Sequence, residues 1–417
     1  MAISSDPGRP MRVLVIGGGI GGLCLAQGLR KAGIDVIVYE RDASPKGRMQ
    51  GYRLRLLPEG EDALRDCLPR AAADLLTATS NMRYKHGWAA YDQQLEPQWT
   101  PTFEDPRGDS ADSMGALDRA TLRRILLAGL DDVVRFGKRF THCEQTGDGV
   151  TAYFADGDSA TGDVLIAADG ANSQVRAQLR PDDKQTDLGV RTILSRTPRD
   201  KALKEGLPDV LRDRTVYVIG SDGFHLGLMP MVFRNRPREA AAEMWPGLEF
   251  DFNDDYYMSV FNSHKDVLDI PDEKFFAMSG EELRRVVLDR ITDWHPDLHG
   301  IFAHADPDET YPIAMRVKLP VEPWGTGNVI PLGDAVHIMP PSGGFGANTA
   351  LRDATALCRE LTAVAAGERT LEDAVKDYEA AMVETATEAI NMSLAIAKWS
   401  IHVDIDEQGS ASSTANA

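Results

Sequence analysis

The chain has 417 residues, 43% of them apolar and 26% charged, which is an ordinary globular balance with length for two packed domains. Lys plus Arg number 45 against 64 Asp plus Glu, and the formal charge of −19 argues against a sequence-independent nucleic-acid binder or adhesion to anionic lipid, both of which need surplus cations, and leaves room only for a local basic groove. The four cysteines, Cys24, Cys67, Cys143 and Cys358, are widely spaced with no C-x-x-C pair, so they read as buried free thiols of a reducing compartment, not as a disulfide framework or a metal cluster.

Residues 1–10 are polar and contain proline, and predict a loose terminus. Arg12–Ile16 (RVLVI) is a continuous branched apolar run of the kind buried in a parallel strand. Ile20–Ala32 has helical spacing, with Leu23, Ala26, Gln27 and Arg30 set to divide a buried from a wet face, and Ile34–Tyr39 reads as a second strand. The uncharged stretch Val13–Leu29 imitates a signal or membrane segment. Five glycines within 17–22 and a change of period make strand, turn and helix the better reading, so a cytoplasmic chain without membrane insertion is expected.

Asp118 is a good N-cap for a helix that buries Leu122, Ile125 and Leu126. Val164–Ala167 and Val329–Leu332 are further buried strands, each followed closely by an adjacent Asp and Gly. From 181 to 302, strand-like runs such as Thr215–Ile219 and Phe224–Met229 mix with aromatics and no glycine loop, which suits a separate antiparallel sheet. Thr370–His402 is one long helical pattern, and the polar tail from Asp406 reads as disordered. The expected fold is therefore α/β: a doubly wound parallel sheet over 11–180 and 303–370, an inserted antiparallel-sheet domain over 181–302, a carboxyl-terminal helix over 371–405 and a disordered tail over 406–417.

The loop VIGGGIGG supplies G-x-G-x-x-G at Gly17, Gly19 and Gly22, directly after a strand and opening a helix. The first glycine allows the tight turn, the second lets backbone approach a pyrophosphate, and the third lets helix pack on strand. The helix start adds unpaired amides and partial positive charge for the phosphates. Glu40, 23 residues after Gly17, is placed to bond the ribose hydroxyls of an adenosine and would repel a 2′-phosphate. The nucleotide at this loop is FAD or NAD, not NADP.

Three downstream segments bear on that choice: DVLIAADGANSQVR at Asp163–Arg176, VIPLGDAVHIM at Val329–Met339 and PPSGGFGANTALRD at Pro340–Asp353. Together with the first loop, with YERD at Tyr39–Asp42, DRATLRRILL at Asp118–Leu127 and VKDYEAAM at Val375–Met382, they resemble the class A flavoprotein monooxygenases of the para-hydroxybenzoate hydroxylase fold. The nearest pattern among these is that of the tetracycline-inactivating flavin monooxygenases. The similarity spans most of the chain and is weakest over 181–302.

That resemblance implies FAD held by Gly17, Gly19, Gly22, Glu40 and Arg41, with Arg119 contacting the cofactor and Asp334 its ribityl chain. It implies that Gly344, Gly346, Ala347 and Asn348 bring backbone and a helix start to the ring. Asp169 and Gly170 would lie near the pyrophosphate and a transient NADH or NADPH, which Arg48 would help receive. Arg55 falls where a side chain meets the flavin, although the related enzymes carry an acid there. The implied reaction is hydroxylation or epoxidation of a small apolar aromatic or polycyclic molecule by a flavin C4a-hydroperoxide formed with O2, in a monomer. No catalytic side chain or metal site is singled out. The alternatives are a flavin oxidase, a non-catalytic carrier of prenylated partners, and an FAD-binding enzyme of non-redox cyclisation. Flavin halogenation is disfavoured because no W-x-W occurs.

Phe224, His225, Met229, Met231 and Trp245 are candidates for an apolar substrate pocket, as is Pro340 at the entrance of the glycine turn. His337, just after GDAV, is assigned a helix-start or packing role.

Overall fold

The computed structural model describes residues 10–45, 52–82, 87–100, 113–147, 149–204, 207–212, 214–325, 327–405 and 411–413. The expected loose start, Arg48 and most of the tail from 406 lie outside these residues.

Branched apolar residues set the first layer. Arg12–Ile16 is buried from Val13 onward and pairs in parallel with Asp35–Tyr39 on one side and Val164–Ala167 on the other. Val134–Arg135 and Val329–Pro331 complete this five-stranded sheet. Parallel neighbours require crossovers, and the first is the helix Ile20–Lys31. All five strands end at one edge, which brings the loops after residues 16, 39, 167 and 331 together.

The first helix departs from the expected two-faced pattern. It is buried all round from Ile20 to Leu29, Gln27 included. The helices Arg119–Leu127 and Phe345–Ala365 pack on it as well as the sheet, and Gln27 is satisfied by donating Nε2 to the carbonyls of Leu126 at 2.7 Å and Ala128 at 3.0 Å.

The second sheet has seven strands in the order Thr310–Val317, Thr186–Pro198, Tyr256–His264, Phe224–Met231, Thr215–Ile219, Trp88–Tyr91 and Pro97–Gln98. It is antiparallel apart from the pairing of Thr215–Ile219 with Trp88–Tyr91. The region 181–302 thus supplies four of its strands, and the outer three come from 88–98 and 310–317, outside the expected insert. Bare edges are unfavourable, and segments remote in sequence close them. Phe224, Leu226, Leu228 and Phe261 point to one face, into a core with Phe275, Trp294 and Phe302. Met229, Met231 and Tyr256 share the other face, where Tyr52 packs.

The helix Leu371–Ile401 is capped by Thr370, whose Oγ1 accepts from the Asp373 amide at 3.1 Å. Its Tyr378 donates to the Pro331 carbonyl at 2.8 Å and so ties the helix to the parallel sheet. Beyond His402 the chain forms the strand Val403–Ile405, within the segment expected to be helical, paired with Ala411–Ser413. No helix among the described residues is long and apolar enough to cross a membrane.

Candidate functional site

The three glycines of the first loop have distinct surroundings. A Cβ on Gly17, whose φ is +111°, would strike the Ala168 carbonyl, and one on Gly22 would strike the Gly17 carbonyl. At Gly19 nothing lies within 4 Å. Two glycines are therefore demanded by the fold itself, whereas the middle one faces open space in front of a helix start that has no side-chain cap. Glu40 is buried beneath the loop; its Oε2 accepts from the Gly18 amide at 2.8 Å and its Oε1 from the Asp42 amide at 2.9 Å. Arg41 next to it is exposed at the rim.

The second strand-end turn lies alongside. Asp169 Oδ2 accepts from the amides of Gln174 at 2.7 Å and Val175 at 3.3 Å, while its buried Oδ1 has no hydrogen-bond partner. Burial raises this carboxyl above its usual range, and the hydrogen bonds only partly offset that. Gly170 follows at φ +78°, with open space where a Cβ would be. Asp334 is exposed on the short turn Gly333–Ala335, and Gly346 faces it across the groove. Arg176 binds the two turns together by donating to the carbonyls of Ala171 at 2.6 Å and Ala335 at 2.8 Å.

His337, assigned a helix-start or packing role, pairs with an acid in the interior. Sealed from solvent, its Nε2 lies 2.6 Å from Asp353 Oδ2, which also accepts from the Gly333 amide at 3.0 Å. The turn that presents Asp334 is thereby fixed to the helix Phe345–Ala365.

That helix opens from two consecutive left-handed glycines, Gly343 at φ +79° and Gly344 at φ +75°. Gly346 and Ala347 occupy its first turn, half-exposed. Asn348 is buried, and its side chain is engaged within the protein: Nδ2 donates to the carbonyls of Arg55 at 2.9 Å and Gly344 at 2.7 Å, and Oδ1 accepts from the Leu57 amide at 2.8 Å. Arg55 lies against the turn, 3.3 Å from the Gly343 carbonyl, with its guanidinium 4.8 Å from the Trp88 ring centre. Arg119 opens its own helix half-buried, its amide donating to the Tyr52 carbonyl at 2.6 Å, directly after the capping Asp118.

Beyond the turn, Trp88, Tyr217 and Trp399 form a run of ring contacts, the first tilted and the second edge-on, with ring centres 5.4 and 5.5 Å apart. Burial pushes the Tyr217 phenol up to about 12, against the pull of Arg55 and Arg53. Met229 and Met231 share the sheet face that packs with Tyr52 and Tyr256. Phe224 does not join them: it stacks on Phe261 at 5.6 Å in the opposite core, because an odd separation along a strand reverses the face. His225 is buried against His402, with ring centres 5.1 Å apart, and Trp245 packs against the first domain's core instead. Pro340 is buried, and its carbonyl accepts from the Ser393 hydroxyl at 2.6 Å.

Sequence reasoning passed over Arg123. Buried under the glycine loop, it donates from Nε to the Gly18 carbonyl at 3.2 Å and from Nη1 to the Pro45 carbonyl at 2.7 Å. Its Nη2, 3.9 Å from Glu40, has no hydrogen-bond partner. The available signal was a charge flanked by Leu122, Ile125 and Leu126, a stripe that should be apolar throughout.

The orphaned Arg123 nitrogen and the open space at Gly19 before an uncapped helix start fit a phosphate-bearing dinucleotide, and the orphaned Asp169 oxygen fits a hydrogen-bond donor such as a hydroxyl group. These features define an FAD-binding protein of the two-sheet flavoenzyme fold. Residues 15–91 match an NAD(P)-binding Rossmann-like domain and residues 283–393 an FAD binding domain. A solved structure from Photorhabdus luminescens subsp. laumondii TTO1, described as an FAD-containing monooxygenase, is 31% identical with a TM-score of 0.78, and the match covers 94% of this chain and 98% of that one. The FAD-dependent urate hydroxylase of Klebsiella pneumoniae is 29% identical over 89% of this chain and 85% of its own. The dual O-methyltransferase/FAD-dependent monooxygenase CTB3 of Cercospora beticola is 30% identical over 91% of this chain, which spans only 45% of that protein's length. The chain belongs to the FAD-dependent monooxygenases.

Proposed function

We propose that the chain consumes NADH or NADPH and O2 to hydroxylate or epoxidise an apolar aromatic or polycyclic small molecule, acting as a monomer in the cytoplasm. One observation carries this reading: the left-handed glycine turn at Gly343–Gly344 stands beside a wall of Trp88, Tyr217 and Trp399. Flat rings accept a flat substrate, and side-chain-free backbone accepts a flat cofactor.

Gly17, Gly19 and Gly22 would hold the FAD phosphates, Glu40 and Arg41 the adenosine, and Arg119 and Asp334 the connecting chain. Gly344, Gly346, Ala347 and Asn348 would present backbone to the ring, with Asp169, Gly170 and Arg48 on the path of the nicotinamide. Bound FAD supplies the redox chemistry, accepting a hydride and activating O2. The protein excludes water with its aromatic wall and offers the positive end of a helix where charge collects. Met229 and Met231 give the substrate side an adaptable apolar surface.

The relatives' names support a ring substrate: urate is a planar heteroaromatic, and an O-methyltransferase joined to a monooxygenase suits a substrate or product that bears a hydroxyl group.

The test is purification with FAD bound, followed by NADH and NADPH consumption against phenols, their O-methyl ethers and polycyclic compounds under 18O2. One labelled oxygen atom per product is expected. Product formed without O2 and without flavin reduction would replace this reading with cyclisation; turnover without nicotinamide would replace it with oxidase activity.

A further inference from the structure

Three of the four cysteines, unrelated by spacing, meet at one point. Cys24 lies in the helix after the glycine loop, Cys67 ends the helix Pro58–Cys67, and Cys358 lies in Phe345–Ala365. Gly28, one turn beyond Cys24, makes the room: a Cβ there would lie 2.8 Å from Cys358 Sγ and 3.1 Å from Cys67 Sγ. Both sulfurs thus face the same bare patch of helix. Cys67 Sγ also lies 3.4 Å from Thr355 Oγ1.

The helices bearing Cys67 and Cys358 run side by side in the same direction. Asn348 occupies the place where a Cβ on Gly60 would go, Thr355 donates to the Ala63 carbonyl at 3.3 Å, and Arg359 pairs with Asp66. Cys67 and Cys358 form the rung at the far end of this ladder. Cys24 and Cys67 are buried, whereas Cys358 is partly open to solvent. Lys31 donates to the carbonyls of Asp66 at 2.8 Å and Leu68 at 3.2 Å, which sets a cation beside Cys67.

We propose that Cys67 and Cys358 form an oxidation site, a reversible disulfide that staples these two helices when the protein meets hydrogen peroxide. The Cys67 thiolate, held by hydrogen bonds from the neighbouring thiols and by Lys31, attacks one peroxide oxygen; the O–O bond breaks, the leaving hydroxide takes up the proton the thiol gave up, and a sulfenic acid and one water result. The Cys358 sulfur then attacks that sulfur, the S–S bond forms and a second water leaves. Two thiols lose two electrons and two protons, and one peroxide gains them. The staple matters because the same helices hold the glycine turn, through Asn348 bound to Leu57 and Arg55. The inference is independent of the substrate reading.

The full-length, FAD-loaded protein is titrated with hydrogen peroxide, its free thiols are alkylated, and non-reduced digests are read by mass spectrometry. A Cys67–Cys358 linked peptide that disappears with dithiothreitol is expected, with Cys143 still alkylated. C358S, a small change at a partly exposed site, should abolish the link and divert Cys67 to sulfinic acid, and C67S should abolish both. Oxidised wild type should melt a few degrees higher than reduced, and C358S should show no such shift. Sulfinic acid on Cys67 of the wild type without the linked peptide, or a link confined to Cys24 and Cys67, would overturn the proposal.

Discussion

Arg123 Nη2 lies 3.9 Å from Glu40 Oε2, both side chains buried beneath the glycine loop. The guanidinium also donates to the Gly18 and Pro45 carbonyls, so one side chain supports both flanks of the nucleotide cradle. Removing one member of such a pair leaves the other buried without its counter-charge, a loss of about 3 kcal/mol or more. Arg123→Met should therefore lower both the melting temperature and FAD affinity, the latter by about tenfold or more. Arg123→Lys, which keeps charge but not the fork, should fall between. Differential scanning fluorimetry and flavin fluorescence titration would read the two effects; wild-type FAD affinity in Arg123→Met would remove Arg123 from the cradle.

The glycine loop divides by the same reasoning. Ala at position 17 or 22 meets backbone oxygen, so Gly17→Ala and Gly22→Ala should compromise folding and yield little soluble protein. At position 19 the added methyl enters open space, so Gly19→Ala should fold and melt as the apo wild type does. Its FAD affinity should nevertheless drop by about tenfold or more, because backbone approach to phosphate is then blocked. Equal loss of stability in all three variants would contradict this division.

What the sequence disclosed was what lies close along the chain. Strand, glycine turn, helix and Glu40 fall within 29 residues, and each has a local reason for its residue types. The doubly wound sheet followed, and so did the capping of a helix by Asp118, whose Oδ1 accepts from the Thr121 amide at 2.8 Å. Arg123, Arg176 and the burial of Gln27 were illegible because their partners are backbone carbonyls remote in sequence, and a carbonyl has no residue identity. Phe224 could not be told apart from Met229 and Met231 for another reason. Apolar residues on both faces of a strand leave no alternation to show which face meets the site. Convergence of the three cysteines depends on the crossing of three helices, which spacing does not encode.

Two buried histidines should give opposite pH dependence. Burial, with His402 adding to it, pushes the His225 imidazole down to about 3. Between there and the ordinary value near 6.5, the unfolded chain binds a proton that the native protein does not, so stability falls as pH drops through that window. Burial alone would lower His337 too, but Asp353 overrides it and raises the imidazole. The native state then holds a proton that the unfolded chain releases. This contribution is complete below about 6.5 and is lost as pH rises through the folded value. Urea unfolding across pH should show His225→Phe flattening the acid limb and Asp353→Asn flattening the alkaline limb. The opposite assignment of limbs would refute both.

Phe224 and Met229 lie five positions apart on one strand and face opposite ways, which separates stability from substrate handling. Phe224 stacks on Phe261 within a sealed core, so Phe224→Ala should destabilise the protein by about 3–5 kcal/mol. Its substrate preference should stay unchanged where the protein remains folded. Met229 is half-buried on the face shared with Met231, Tyr52 and Tyr256, and an unbranched thioether there adapts to whatever packs against it. Met229→Ala should cost less stability yet change KM among accepted ring systems by a few-fold to about tenfold, with kcat moving less. Denaturant titration of each variant, beside steady-state kinetics on two substrates of different ring size, separates the effects. A shifted substrate ratio in Phe224→Ala with none in Met229→Ala would place the substrate on the other face of the sheet.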